Sequence, residues 1–308
     1  MAVNQKKDLG KVVNNIAQNA AKDAAKTVNS VTKDAAKTVN SVTRDAAKAV
    51  NTAAGNAAKA VGDAASLTKD ALAGAVDQNT RNEMFKKICA LIPNQVNNAT
   101  VVNAFELMRK EQKLLKKDFT THLKANESAF KKHEEAIKKA KGYVEDQNLW
   151  TDVAYGVATM QYSGCEVFAT FNAIFNITGK HLKSLPAMIS EYEKDGIVLS
   201  GKFGTSPKAI SDFLTREGFK TVMTTEEKEF DKVGKENESL ILTMYNDKDD
   251  ISQEVHTVNI SKENNKFTAH NVYCNGAVVG PFSSVSEVIR NINGGKAKGI
   301  SLIGIKKA

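Results

Sequence analysis

Cys165 is the residue whose type and setting best suit nucleophilic chemistry. It sits in the run Met160-Gln161-Tyr162-Ser163-Gly164-Cys165-Glu166, where Gly164 predicts a sharp turn. Val167 to Ile174 then read as a buried helix. A cysteine at a helix start feels the positive end of the helix dipole, which favours thiolate over thiol. It needs such help, because a free cysteine has a pKa of about 8.5. Far downstream, His256 opens an alternating strand and Asn271 ends the next one. A nucleophile, a base and an orienter in that order predict covalent catalysis by a thiol.

The other chemistry-bearing residues form no competing set. Cys89, Cys165 and Cys274 are too few and too widely spaced for a disulfide framework or a CxxC metal signature. Cys89 reads as core, Cys274 as a spectator thiol, and His122 and His133 as surface residues without paired ligand spacing. No metal and no cofactor are expected. His270 is an alternative base, but strand alternation puts it on the opposite face from its neighbour Asn271. The preferred pairing is therefore His256 with Asn271.

The elements around these residues predict an α+β domain. Three helical runs come first: Met84, Phe85, Ile88 and Leu91 on one face, ended by Pro93; Thr100 to about Lys117; and a lysine-rich run carrying Phe119, Leu123, Phe130 and Ile137. From Leu149 the texture changes, and glycine, tyrosine, phenylalanine and isoleucine become common. Helices are predicted over Ser184 to Glu193, Ser206 to Glu217 (Pro207 in the first turn) and Ser283 to Ile292. Strands are predicted at Ser239 to Tyr245, Val255 to Ile260, Lys266 to Tyr273 and Gly299 to Ile305, with Ser261 to Asn265 as a hairpin loop. Helices followed by an antiparallel sheet make the α+β pattern. Three regions follow: an arm over 1–79, a basic helical region over 80–148, and a domain over 149–308.

The set Gly164-Cys165, His256-Thr257-Val258-Asn259-Ile260 and Phe267-Thr268-Ala269-His270-Asn271 resembles that of papain-like cysteine peptidases. It is most similar to their compact bacterial branch, the leader-cleaving peptidase domains of bacteriocin exporters and related stand-alone domains. Gly204-Thr205-Ser206-Pro207 to Gly218-Phe219 looks like the helix between the two halves of that fold. The resemblance spans roughly residues 149–308 and implies a papain-like domain acting on a peptide or protein substrate. Cys165 would attack a carbonyl carbon, His256 would take the thiol proton, and Asn271 would hold the imidazole. The Cys165 backbone N–H and a glutamine side chain would make the oxyanion hole. Gln161 is the glutamine at hand, closer to the cysteine than is usual in the family. Glu166 stands where the exporter peptidases usually have glycine, and a carboxylate turned toward the sulfur would raise its pKa.

The front of the chain has a different character. No aromatic residue precedes Phe85, so the first 84 residues lack the means for an ordinary core. Residues 1–150 hold 25 Lys and Arg against 16 Asp and Glu, while 151–308 hold 18 against 19, so the basic charge is confined to the front half. Lys22 to Thr32 repeats as Lys33 to Thr43, with further copies from Arg44 and Gly55. An eleven-residue period keeps Ala24, Val28, Val31, Ala35, Val39, Val42, Ala46 and Val50 on one helical stripe. Over about residues 20–75 this is similar to repeats of late-embryogenesis-abundant proteins and, more loosely, of synuclein and apolipoproteins. Such a segment is expected to be disordered or partly helical alone and to fold on an anionic membrane or a partner helix; the plainer expectation beside it is a spacer or stalk.

Two classes of function stand side by side. One is a thiol peptidase, or a related acyl or amide transferase, with the arm-plus-payload layout of a bacterial effector or processing enzyme. The other is a non-enzymatic interaction protein whose basic arm binds anionic membrane or a partner helix. Nucleic acid is disfavoured, since lysines alternate with aspartates and no aromatics are there to stack bases. The N-terminus lacks a signal-peptide core and no apolar run is long enough to span a bilayer, so a cytoplasmic protein, or one secreted without such a signal, is expected.

Overall fold

The computed structural model describes residues 97–114, 119–249 and 254–308. The repeat arm, the helix ended by Pro93, and Cys89 lie outside the described residues. The compact unit that holds the site runs from Asn97 to Ala308.

Three helices open it: α1 (Asn98–Leu114), α2 (Thr120–Phe130) and α3 (Glu134–Lys139). After a 3-10 turn at Gln147–Leu149 come the short pair β1 (Ala154–Tyr155) and β2 (Ala158–Thr159). Then follow α4 (Met160–Ser163), α5 (Cys165–Thr178), α6 (Leu185–Asp195) and α7 (Pro207–Arg216). The rest is β3 (Phe219–Thr224), α8 (Phe230–Glu236), β4 (Ser239–Tyr245), β5 (Val255–Glu263), β6 (Lys266–His270), β7 (Val279–Phe282), α9 (Val285–Asn291) and β8 (Lys298–Lys307). The lysine-rich run expected as one helix is thus two, parted at 131–133.

The main sheet has six strands in the order β3-β8-β4-β5-β6-β7, and every neighbouring pair is antiparallel. This is the α+β class that the element pattern predicts. The closing strand β8 lies in the interior, between β3 and β4. All seven residues of β4 are buried, because both faces of the sheet are covered. Ile241, Ile303 and Ile305 join the core under α5, α6 and α7. Leu240, Leu242, Met244, Val258, Ile260 and Leu302 join the core under α8 and α9. The period of two along each strand deals alternate residues to these two cores.

The composition break at 149 falls inside this unit. The Asn98 amide donates to the carbonyls of Thr225 and Gly299, both at 3.1 Å, which ties the start of α1 to the sheet end. Arg109 is buried and pairs with Asp195 on α6 and Asp212 on α7. A guanidinium can be buried only when its donors are matched in this way. Helices placed by sequence in a separate basic region therefore pack into the same unit as the sheet.

Local chemistry sets the element ends. The Ser184 hydroxyl caps α6 through the Ala187 N–H, and Pro186 occupies its first turn. Asn264 and Asn265 both take positive φ, 49° and 59°, and close the β5–β6 hairpin as a two-residue turn. β6 stops at His270, short of the expected Tyr273, because Asn271 turns the chain with φ 57°.

Candidate active site

Cys165 is the first residue of α5, which packs on β4 and β5. Gly164 before it has φ −96°, an ordinary value, so it is not a conformational hinge. Its glycine is needed for space: a Cβ there would lie 2.6 Å from the Met160 carbonyl oxygen. That close approach lets α4 and α5 meet and brings the sulfur under the start of β5.

The thiol is 7% exposed. Its near partners are the backbone N–H of Thr257 and the carboxyl of Glu166. Burial pushes its pKa well above the ordinary value, and the Glu166 charge pushes the same way. The expected thiolate is thus overturned. A helix start is worth about 2 kcal/mol at most, whereas burial can move a pKa by several units. Cys165 rests as a thiol.

His256 lies opposite Met244 in the β4–β5 register, and Thr257 lies opposite Thr243. Alternation sends Thr257 toward α5 and His256 to the other face. The imidazole reaches the site because it stands near the start of β5. It is 8% exposed, and its Nε2 hydrogen-bonds the Asn271 backbone carbonyl at 2.7 Å. A carbonyl can only accept, so Nε2 carries the hydrogen. Burial lowers the pKa of the ring, which therefore stays neutral with Nδ1 as an acceptor. No hydrogen bond joins His256 to Cys165.

Asn271 does hold His256, but through its main chain. Its side-chain Oδ1 accepts from the Gln147 N–H, and its Nδ2 donates to Gln147 Oε1, both at 3.1 Å. Its own N–H donates to Glu145 Oε2 at 2.8 Å. The expected side-chain orienter is instead a clamp on the Gln147 turn. His270 is excluded as the base: Nδ1 meets Glu145 Oε1 at 2.5 Å and Nε2 meets Ser261 Oγ at 2.7 Å, with Tyr143 stacked on the ring.

Cys165 and His256 open into one cleft of about 840 Å³. Gln147, Gln161, Tyr162, Glu254 and Cys274 also line it. The Gln161 side chain is exposed, and its main-chain carbonyl accepts from Gln147 Nε2 at 2.8 Å. Gln147 leaves its second amide hydrogen uncommitted and is a glutamine donor that sequence reading missed. No periodicity marks it, and only the fold returns that turn to the cleft. Cys274 is half-buried, with its pKa raised to about 11 by burial first and then by Asp146.

Among the described residues, no group of three His, Cys, Asp or Glu side chains is placed to hold a metal ion. No helix among them is long and apolar enough to cross a membrane. Comparison of the chain with protein-family models, curated proteins and solved structures found no match.

Proposed function

We propose that residues 97–308 form a papain-like thiol hydrolase, or a related acyl transferase, that acts on peptide or protein amides. One observation carries this reading: a thiol at the start of a central helix and a neutral, carbonyl-anchored imidazole open into the same cleft. Neither is a surface group, and a buried imidazole held by one nitrogen has its other nitrogen left for proton transfer.

The chemistry follows from those atoms. His256 Nδ1 takes the Cys165 proton as the sulfur attacks the carbonyl carbon of the substrate. The carbonyl oxygen becomes an oxyanion facing the Cys165 backbone N–H, one of the unpaired donors at the start of α5. Gln147 or Gln161 supplies the second donor. The imidazolium then protonates the departing amine, leaving a thioester on Cys165. Water or another amine, deprotonated by His256, releases the acyl group and restores the thiol.

The test uses the whole chain and a peptide library resolved by mass spectrometry. The intact protein should release products that Cys165→Ala abolishes and His256→Ala reduces by about 100-fold or more. Equal product from Cys165→Ala, or none from the intact protein, overturns the reading and leaves an interaction domain.

A further inference from the structure

Glu166 follows Cys165 on α5, yet its side chain turns into the protein and is 6% exposed. The carboxyl lies among the Thr205 N–H, the Thr257 hydroxyl, its own backbone N–H and the Cys165 thiol. These approaches are not all well aligned, and Oε2 is left buried without a full hydrogen bond. Gly204 makes room for it, with φ 64°, and a Cβ there would stand 2.6 Å from Oε2. A seat has been shaped for a carboxyl that solvent does not reach.

An ionised carboxylate in such a seat is costly, and so is a thiolate beside it. Burial accordingly raises the Glu166 carboxyl to about 7. The other ionisable groups facing it are Tyr155 from β1 and Tyr192 from α6, both neutral. Cys274 bears on the sulfur from the cleft side, with a thiol that is itself neutral. Among the described residues, the groups that bear most on Cys165 and Glu166 include no cation to offset a second negative charge.

We propose that Glu166 is a latch on Cys165: seated against Gly204, Thr205 and Thr257, its carboxylate holds the neighbouring sulfur in the thiol form, and removing that charge arms the sulfur. Cys165 and Glu166 then lose protons one at a time, the second far less readily than the first. Glu166 acts through Cys165 and is a positioning residue in this sense. The inference rests on Cys165 being the reacting group of the proposed hydrolase, but its test needs no turnover.

The experiment is the rate of Cys165 alkylation by iodoacetamide from pH 5.5 to 9.5, read by mass spectrometry of the labelled peptide. In the intact protein the rate should climb tenfold per pH unit up to about pH 7 and then flatten. It flattens because each carboxyl proton lost makes the next one harder to remove. In Glu166→Gln the climb should continue, so that the variant is at least about tenfold faster at pH 8.5. Superimposed profiles, or a slower variant, overturn the latch. If Glu166→Gln does not fold, the intact protein still decides: a single slope through pH 9 overturns the proposal. An armed but inactive Glu166→Gln would keep the latch and remove the hydrolase.

Discussion

Replacing Asn271 separates its main-chain role from its side-chain role. Asn271 is 1% exposed and Gln147 is 4% exposed, so water replaces a lost partner poorly even though Gln147 borders the cleft. Asn271→Ala removes two hydrogen bonds: Gln147 Oε1 is left unmatched, and the Gln147 N–H keeps only its weak approach to the Cys274 sulfur. Each loss costs about 1–3 kcal/mol. Alanine must also adopt the φ of 57° that asparagine tolerates, which adds about 1 kcal/mol. The sum is about 3–7 kcal/mol, a large part of the 5–15 kcal/mol that holds a typical domain together. Asn271→Gly loses the same bonds without the backbone strain, so it should be the more stable of the two variants. Both keep the carbonyl that anchors His256 Nε2. In the folded glycine variant, histidine NMR titration should still find His256 below the ordinary range, and urea melts give the two stabilities. A loss under 1 kcal/mol in both variants would refute the clamp. A normal His256 titration in a folded Asn271→Gly would mean that the imidazole has left its buried seat, and would refute anchoring by the main chain alone.

Two further outcomes are expected. The Glu166 carboxyl is raised in the folded protein to about 7, from an ordinary 4.5. The unfolded chain therefore ionises first, and the folded state loses about 3 kcal/mol as pH rises from 4.5 to 7. Glu166→Gln should lack this loss, so thermal melts at pH 5 and pH 7.5 should favour the variant increasingly toward the higher pH; a constant difference refutes the buried carboxylate. For the arm, a peptide of residues 20–75 should gain helical circular dichroism on vesicles containing phosphatidylserine and not on neutral ones. No gain on either removes the membrane role.

Much of the sheet was legible because its strands carry their own pattern. Ser239 to Tyr245 is an apolar run, and Val255 to Ile260 alternates. Phe219–Thr224 was missed as a strand because it is an edge, where every side chain after Phe219 is exposed or half-exposed and no apolar run marks it. Val279–Phe282 was missed because Gly280 and Pro281 read as a loop, and an edge strand is where a sheet tolerates them. That the compact unit starts at Asn97, ahead of the composition break at 149, has a different cause. Composition records how much apolar area a helix presents, not what covers it. α1 carries basic residues in sequence, but Arg109 is buried by carboxylates drawn from α6 and α7.

At the site the same division holds, because residue types are local and their ionisation is not. The positions of Cys165 and His256 at a helix start and a strand start follow from periodicity near each residue. The thiol form of Cys165 follows from its burial under β5, a strand far along the chain, and from the inward turn of Glu166, for which Gly204 makes the room. Gly204 is distant in sequence, and no pattern around Cys165 betrays it.

One strand joins these features into a single device. Thr257 and His256 are neighbours on β5: the sulfur meets the Thr257 backbone N–H, and the imidazole is held by the Asn271 carbonyl. The helix dipole and that single N–H favour the thiolate. Burial and the Glu166 carboxylate oppose it, and the opposing pair is larger. Rigid contacts alone would leave the sulfur inert, since His256 is not bonded to it. Of the opposing terms, burial is set by the packing of α5 on β4 and β5 and cannot change without unfolding. The Glu166 charge can change with one proton. On the proposed reading, Glu166 sets how readily the Cys165 thiol ionises, and His256 takes its proton once a substrate is bound.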